Sequence, residues 1–198
     1  MSQSKIILAS QSPRRKELLA REKIAFSVHV TDADETVREK MSPRDLVEEL
    51  SHRKAKSAAA DFSREKVLII AADTVVALGD EIFGKPEDEE DARRMLRSLS
   101  GKAHSVFTGV TLAYVEDGEV SYRKTVCETK VYFRSVSEDE ITDYINTREP
   151  FDKAGSYAIQ GIASKFVEKI DGDFDNVVGL PVSAILQDVN AYLQKEEK

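Results

Sequence analysis

One aspartate directly follows the most apolar stretch of the sequence. Residues 67–72 read VLIIAA, a continuous apolar run that is typical of a central parallel strand, and Asp73 comes next. The carboxyl ends of such strands form the usual ligand crevice of α/β sheets, where a carboxylate can hold a metal ion or act as a general base. A turn or helix cap is the alternative for Asp73. Because no helix is predicted to begin there, we favour a functional role.

Two arginines open a predicted helix near the start of the chain. Residues 10–15 read SQSPRR, in which Ser12 provides an N-cap and Pro13 the first helical position. Arg14 and Arg15 lie in the first turn, where the positive end of the helix dipole disfavours cations. A bound anion would reverse this penalty, because backbone N–H groups and guanidinium groups would converge on it. We therefore favour an anion site over two solvated arginines.

A lysine interrupts the apolar face of a second predicted helix. Spacings of i, i+3 and i+4 define this face by Leu46, Val47, Leu50, Ala58 and Phe62. Lys54 lies midway between Leu50 and Ala58, near the middle of the stripe. A buried ammonium needs a partner. The sequence leaves two interpretations open: a charge directed at a ligand, and a side chain that extends to solvent or meets an internal carboxylate.

Three further residues suit the same chemistry but carry a weaker signal. Glu35 lies in an acidic loop and could join Asp73 in holding Mg²⁺, yet a solvated loop is the better interpretation of Glu35 alone. Lys85 precedes Pro86, which favours an extended backbone, although such lysines are common on surfaces. Gln160 offers both a donor and an acceptor to a base edge, but by itself it is better explained as part of a structural turn.

Alternating strand-like and helix-like segments must position these residues. The predicted strands are residues 5–9, 26–30, 67–72, 74–78, 81–83 and 166–170, with two long strands that meet at Asp117-Gly118. The predicted helices run from Ser12 to about Arg21, Ser42 to about Asp61, about Glu89 to Leu99, about Glu138 to Asn146, and Pro181 to about Gln194. This order predicts an α/β fold with a mixed sheet and flanking helices, arranged as two lobes around a central cleft.

Composition and missing motifs exclude several classes of protein. The chain has 198 residues, a formal net charge of −7 and one cysteine, Cys127. The negative charge disfavours general binding of DNA or RNA, and a single cysteine allows no intrachain disulfide. The sequence has no P-loop, dinucleotide fingerprint or zinc-binding cluster. No apolar run reaches the roughly 18 residues of a membrane helix, and no signal peptide is recognisable, so we expect a cytoplasmic protein.

Seven short motifs, taken in order, resemble those of the Maf family, also called septum-formation inhibitor-like proteins. They extend from Ile7 to about Pro181 and read LASQSPRR from Leu8, ADTV from Ala72, GKP from Gly84, LSG from Leu99 with His104, DKAG from Asp152, IQG from Ile159 and VGLP from Val178. Each motif is short, but their order and spacing together are specific. The resemblance implies a single domain over residues 1–198 with an inosine triphosphatase-like fold, often assembled as a homodimer.

The resemblance further implies an enzyme that hydrolyses nucleoside triphosphates to the monophosphate and pyrophosphate with a divalent cation, Mg²⁺ or Mn²⁺. Asp73 matches the catalytic base of the family. Glu35, Lys54 and Lys85 match its acidic-loop glutamate and its two lysines. We therefore expect these four residues to carry the reaction, with Glu35 and Asp73 holding the metal.

Substrate choice is also implied by the resemblance. Arg14, Thr74 and Gln160 correspond to residues linked to specificity, and this set is similar to the dTTP/UTP-preferring branch rather than the 7-methyl-GTP branch. The full set of expected substrate contacts is Ser10, Arg14, Arg15, Thr74 and Gln160. Modified pyrimidine nucleotides are a further candidate substrate class.

Three questions stay open at this level. The acidic loop reads Asp34-Glu35 where relatives often carry two glutamates, so either carboxylate is a candidate metal ligand. Asp73 is a candidate for both the general base and a metal ligand. The alternative function is a non-catalytic nucleotide-binding regulator of cell division, in which the carboxylates and lysines would be superfluous.

Overall fold

The structure is a computed structural model that describes residues 5–37 and 39–196. Within these ranges, the strands are β1 (Lys5–Leu8), β2 (Ser27–Val28), β3 (Val67–Leu78), β4 (Glu81–Phe83), β5 (Ala103–Glu116), β6 (Glu119–Phe133) and β7 (Val167–Asp171). The helices are α1 (Pro13–Arg21), α2 (Pro43–Asp61), α3 (Glu89–Leu99), α4 (Glu138–Asn146), α5 (Phe174–Val178) and α6 (Val182–Glu196). Three short 3-10 helices cover Glu149–Asp152, Ala154–Ser156 and Ile162–Phe166. None of the helices so described is both long and apolar enough to span a membrane.

The strands form one mixed sheet in the order β2-β1-β3-β5-β6-β7, with β4 paired to β3. Strand β1 runs parallel to β2 and to β3, whereas β4 is antiparallel to β3 and β7 is antiparallel to β6. Asp117 and Gly118, which join β5 to β6, both have positive φ angles, as a two-residue hairpin turn requires. The predicted α/β class with a mixed sheet and flanking helices is confirmed.

Strand β3 differs from its prediction in a way that matters for the site. The apolar run and the following segment were expected to be separate strands with Asp73 at the carboxyl end of the first. Instead, β3 is one twelve-residue strand, and Asp73 is a buried residue in its middle. A salt bridge with Lys54 compensates the buried charge, and the β-branched residues Thr74, Val75 and Val76 favour continued extension.

The predicted second strand is also shorter than expected. Residues 26–30 alternate apolar and polar side chains, but only Ser27 and Val28 pair with β1. Both are exposed, and Val30 is exposed as well. The segment therefore has no buried face, so the alternation of residue types did not reflect packing.

The described chain divides into two compact units. The first comprises Met1–Asp73, Thr108–Cys127 and Gly179–Lys198, and the second comprises Thr74–Phe107 and Glu128–Val178. In the first unit, small residues of α2 pack on the sheet. Ala55, Ala58 and Ala59 are buried in one cluster with Ile7 and Ile69. This packing brings the backbone of α2 close to the strands.

One glycine permits the closest of these approaches. A Cβ atom built on Gly109 of β5 would lie 2.2 Å from the carbonyl oxygen of Val47 in α2. Real Cβ atoms do not approach a backbone so closely, so only glycine fits here. Slightly farther along the helix, the hydroxyl groups of Ser51 and Thr111 form a buried hydrogen bond of 2.9 Å. Gly109 and Thr111 thus fix the helix that carries Lys54.

The second unit has an aromatic core with a buried histidine. His104 is 3% exposed, and its Nε2 lies 2.8 Å from the hydroxyl oxygen of Tyr157. Its ring packs edge-on against Phe133 and Tyr157, and Phe133 also contacts Phe166. Burial lowers the pKa of His104 to about 4. In the sequence, only its position shortly after the LSG motif distinguishes His104 from the other histidines.

Candidate active site

A partly buried ion pair joins α2 to β3 in the first unit. The Nζ atom of Lys54 lies 2.5 Å from Oδ1 of Asp73, and their side chains are 16% and 11% exposed. The bond answers the question that the sequence left open for Lys54, because an internal carboxylate does meet its ammonium. It also gives a buried Asp73 the partner that a charge in this position needs. Two candidate catalytic residues, 19 positions apart in sequence, are therefore in contact.

The acidic loop contributes a second carboxylate to the same ammonium. Oε1 of Glu35 lies 3.2 Å from Nζ of Lys54, although the Glu35 side chain is 59% exposed. The neighbouring Asp34 is engaged differently, since its Oδ1 accepts a 2.9 Å hydrogen bond from the backbone N–H of Thr36. That bond, together with one from the Thr36 side chain, holds the pKa of Asp34 below its usual value. Of the two candidate loop carboxylates, Glu35 is the one that contacts Lys54.

The N-terminal turn of α1 places a guanidinium group in the same unit. The side chain of Ser12 caps the helix by accepting a bond from the backbone N–H of Arg15. Nε of Arg15 donates to the carbonyl oxygen of Gly179 at 2.8 Å, and Nη1 donates to Oγ of Ser10 at 3.3 Å. The Ser10 hydroxyl also accepts from the backbone N–H of Ser12. These contacts explain how the first and last of the family-like motifs come together.

Electrostatics link Arg15 to the carboxylate pair. Burial lowers the pKa of Arg15, the negative charge of Asp73 opposes this shift, Arg14 adds to it and Glu35 opposes it. An arginine nevertheless stays protonated in proteins, so the guanidinium remains a fixed positive charge. Arg14, Arg15, Glu35 and Asp73 thus interact electrically. A partly buried cation at a helix N-terminus is suited to binding an anion.

The two carboxylates also offer the donor chemistry of a divalent cation. Mg²⁺ in phosphate-processing sites is usually held by one or two carboxylates together with substrate phosphates. Asp73 and Glu35 both present oxygen atoms to a single positive charge, that of Lys54. Among residues 5–37 and 39–196, no group of three or more histidine, cysteine, aspartate or glutamate side chains is placed to hold a metal ion. The carboxylates of Asp73 and Glu35 are the kind of donor set with which substrate phosphates would share a metal ion.

The remaining candidates belong to the second unit. Thr74 follows Asp73 in β3 and is partly exposed, and Lys85 is exposed in the loop after β4. The carbonyl oxygen of Gly84 accepts a 3.0 Å bond from the N–H of Gly155, which ties the Lys85 loop to the DKAG segment. Gln160 is exposed in the turn between the 3-10 helices Ala154–Ser156 and Ile162–Phe166. The substrate contacts expected of Thr74, Lys85 and Gln160 remain predictions.

Sequence reasoning missed one polar residue next to this cluster. Arg53 precedes Lys54 on α2, and its Nη1 donates to the carbonyl oxygens of Asp34 and Thr36 at 3.3 and 2.8 Å. Both acceptors are backbone atoms, so the pairing leaves no complementary charge pattern in the sequence. An arginine on a charged helix face is ordinarily solvated, and nothing in its spacing pointed to the acidic loop.

Comparison with known proteins identifies relatives along nearly the whole chain. A family model described as "Maf-like protein" matches residues 5–192. A protein of Thermosipho africanus named dTTP/UTP pyrophosphatase is 51% identical over 181 residues, which cover 91% of this chain and 90% of the relative. Proteins with the same name from Desulforamulus reducens and Geobacillus sp. are each 47% identical, covering 91% and 93% of this chain and 92% and 96% of the relatives.

Among solved structures, the chain is similar to the Ham1 protein of Staphylococcus aureus, with 13% sequence identity and a TM-score of 0.49 over 97% of this chain and 99% of the other. A second similar structure is described as a nucleoside-triphosphatase, or dITP/XTP pyrophosphatase, of Mycobacterium abscessus. It has 12% identity and a TM-score of 0.39, and the match covers 73% of this chain and 94% of that one.

Proposed function

The chain belongs to the Maf-like protein family, and we propose that it hydrolyses dTTP and UTP to the monophosphate and pyrophosphate. Relatives named dTTP/UTP pyrophosphatase, 51% and 47% identical over about nine-tenths of the chain, support this substrate class. The structural observation that supports the chemistry best is the contact of Lys54 with both Asp73 and Glu35, together with the partly buried guanidinium of Arg15 that interacts with both carboxylates. A few opposite charges gathered in this way suit a substrate that brings several phosphate charges.

Asp73 serves as the general base of the reaction. Water attacks the α-phosphorus, the bond between that phosphorus and the bridging oxygen breaks, and pyrophosphate leaves. The proton of the attacking water passes to the carboxylate of Asp73. Its hydrogen bond to Lys54 orients that carboxylate, and its position inside β3 holds it on a rigid element.

Lys54 and the arginines neutralise the phosphates. Phosphoryl transfer depends mainly on positioning and on charge stabilisation, so fixed cations contribute directly to the rate. Arg15 is prepared for this role because Ser10 and the carbonyl oxygen of Gly179 orient its guanidinium before substrate binds. Arg14, one residue earlier in α1, adds a second positive charge at the same helix end.

A divalent cation, Mg²⁺ or Mn²⁺, is part of the proposal. Glu35 would hold it, with Asp73 as the second ligand if another group takes the proton of the attacking water, and when bound it would neutralise charge on the phosphate oxygens. Glu35 is favoured over Asp34 for this role because the Asp34 carboxylate already accepts the N–H of Thr36. Glu35 is the more exposed of the two proposed metal ligands, with 59% of its side chain accessible to an arriving ion.

The family resemblance assigns three further residues to the substrate. Lys85 contributes a further phosphate-binding charge, whereas Thr74 and Gln160 contribute to the choice of nucleotide. An amide side chain can both donate to and accept from the edge of a pyrimidine, which suits Gln160 for this task. The backbone bond between Gly155 and Gly84 supports the loop that carries Lys85.

Pyrophosphate release with a nucleotide panel tests the proposal. The panel contains dTTP, UTP, 5-methyl-UTP, pseudo-UTP, dCTP, dATP and GTP, each assayed with Mg²⁺, with Mn²⁺ and with EDTA. We expect equal amounts of monophosphate and pyrophosphate from dTTP and UTP, and no release in EDTA. An Asp73→Asn preparation purified in parallel measures any contaminating phosphatase. Nucleotide binding without turnover on every substrate would instead support a non-catalytic regulator.

Assembly and location complete the proposal. Members of the family that the chain resembles often form homodimers, and we propose the same assembly for this protein. Light scattering across a range of protein concentrations tests it, and finding only a monomer would contradict it. We also propose a cytoplasmic location, which agrees with a substrate drawn from the nucleotide pool. Fractionation of cells that express the chain would test it, and recovery with the membranes would contradict it.

A further inference from the structure

One arginine connects the catalytic helix to the backbone on both sides of Glu35. Nη1 of Arg53 donates to the carbonyl oxygen of Thr36 at 2.8 Å and to that of Asp34 at 3.3 Å. These two carbonyl groups flank Glu35 in the chain. Arg53 and Lys54 are consecutive in α2, so neighbouring residues of one helix contact the backbone of the acidic loop and the carboxylate of Glu35.

The guanidinium of Arg53 is itself held in place. Its Nε donates to Oε1 of Glu49 at 2.7 Å, one helical turn earlier in α2. This hydrogen bond is the main reason why the pKa of Glu49 lies below its usual value. The Arg53 side chain is 34% exposed, so it is neither buried in the core nor free in solvent. The bond to Glu49 therefore orients the guanidinium of Arg53 toward the acidic loop.

The loop also has an internal constraint that makes this anchor effective. The carboxylate of Asp34 accepts from the backbone N–H of Thr36, which closes a short turn around Glu35. An Asx-type turn of this kind fixes local backbone shape but not its position relative to the rest of the protein. Arg53 supplies the missing link, because it attaches the turn to α2 at both of its ends.

We propose that Arg53 is a positioning residue that holds Glu35 where it can serve as a metal ligand. The inference rests on the proposed function, since it assigns a partner to the metal site of that reaction. The hydrogen bonds of Arg53 go to Glu49 and to the backbone of Asp34 and Thr36, so we assign it no direct part in the chemistry. When a residue that orients a metal ligand without touching the metal is replaced, the metal affinity commonly falls about tenfold or more.

Electrostatics and positioning make opposite predictions for the loss of Arg53. Replacing Arg53 with methionine removes a positive charge close to the metal site, which by Coulomb attraction alone would strengthen the binding of a cation. If Arg53 positions Glu35, the same change weakens binding despite the more favourable charge. The direction of the effect therefore separates the two explanations.

Arg44 provides a matched control on the same helix. Its Nη1 also donates to a backbone carbonyl oxygen, that of Val126, at 3.3 Å. Arg44→Met thus removes the same charge, the same type of bond and the same side chain from α2 without touching the acidic loop. The two variants differ in which backbone segment loses its anchor, and Arg53→Met also removes the bond to Glu49 within α2.

The experiment measures Mn²⁺ binding by water proton relaxation in the presence of a non-hydrolysable α,β-methylene analogue of dTTP. We expect Arg53→Met to weaken Mn²⁺ binding about tenfold and Arg44→Met to leave it unchanged or slightly stronger. Hydrogen–deuterium exchange of the segment 31–37 is the second readout, and it requires neither metal nor turnover. Exchange there should be faster in Arg53→Met than in Arg44→Met.

The outcomes distinguish this inference from the proposed function. If the unsubstituted protein binds Mn²⁺ and Arg53→Met binds it equally well or more tightly, the inference is wrong and the proposed function stands. Equal exchange of segment 31–37 in the two variants would also overturn it. If the unsubstituted protein fails to bind Mn²⁺ with the nucleotide analogue, the metal part of the proposed function is wrong and the role assigned to Arg53 is lost with it.

Discussion

The buried His104 predicts a specific loss of stability in mild acid. The folded protein lowers the pKa of His104 from 6.5 to about 4, because burial disfavours the charged ring. Below pH 6.5 the unfolded chain therefore binds a proton that the folded chain does not. The contribution of the neutral ring is fully present above pH 6.5 and is lost progressively as the pH falls toward 4.

The size of this effect follows from the two pKa values. At pH 5 the histidine of an unfolded chain is almost fully protonated, while that of the folded protein is about nine-tenths neutral. Because pH 5 lies about 1.5 units below the pKa of the unfolded chain and above that of the folded protein, at 1.36 kcal/mol per unit the protein loses about 2 kcal/mol relative to pH 8. Below pH 4 the loss approaches about 3 kcal/mol. Solvent screens the charged ring little, because His104 is only 3% exposed.

Urea unfolding at pH 8 and pH 5 measures the prediction. His104→Gln removes the titration but keeps an amide that can bond to the Tyr157 hydroxyl. Between the two pH values, the unsubstituted protein should lose about 2 kcal/mol more free energy of unfolding than this variant. His29→Gln, which alters a partly exposed histidine paired with Asp61, should keep the pH-dependent loss. Equal losses in the unsubstituted protein and His104→Gln would refute the assignment of the effect to this ring.

Three further predictions concern the proposed site. Asp73→Asn should lower kcat more than about a hundredfold while circular dichroism stays unchanged, and near-normal turnover would remove Asp73 from the chemistry. Gln160→Ala should change the ratio of kcat/KM between dTTP and dCTP more than it changes the faster rate, and equal losses on both nucleotides would argue against its role in selection. Gly109→Ala should lower the free energy of unfolding by about 1–3 kcal/mol and reduce kcat, because the added methyl group meets the backbone of α2. Gly84→Ala, where nothing lies within 4 Å of the added carbon, is the stability control.

Helix α2 illustrates what the sequence could predict. Its N-cap, its first proline and its apolar stripe give its bounds, and the structure confirms them as Pro43–Asp61. The same stripe places Lys54 in an environment where an ammonium needs a partner. The identity of that partner depends on how β3 lies against the helix, which local periodicity does not contain. Tertiary packing supplied Asp73.

The position of Asp73 within β3 shows the opposite case. A charged residue after an apolar run normally marks the end of a strand, and the sequence was interpreted that way. The strand continues because Lys54 neutralises Asp73 from another element, so the local rule is overridden by a contact that the local sequence does not show. A carboxylate with a proposed catalytic role in a regular strand is the kind of site where sequence rules are expected to fail.

Contacts to backbone atoms were the least predictable. Arg15 bonds to the carbonyl oxygen of Gly179, and Arg53 to those of Asp34 and Thr36. A carbonyl group is present at every residue, so no residue type at the acceptor position announces such a bond. The family resemblance named Arg14 and Lys54 but gave no role to Arg53, and only the coordinates connect it to the loop.

The glycine of β5 has a consequence for how this protein would respond to random mutation. Residue 109 has no side chain to react, ligate or carry charge, yet almost any replacement would push α2 outward and with it the amine that meets Asp73. A survey that scored only growth or turnover would place this position beside the carboxylates as indispensable. Measuring the amount of expressed protein and the folded fraction in parallel would separate the two cases. A substitution that disturbs the packing of α2 lowers both of these quantities, whereas one that disturbs only the chemistry lowers turnover alone.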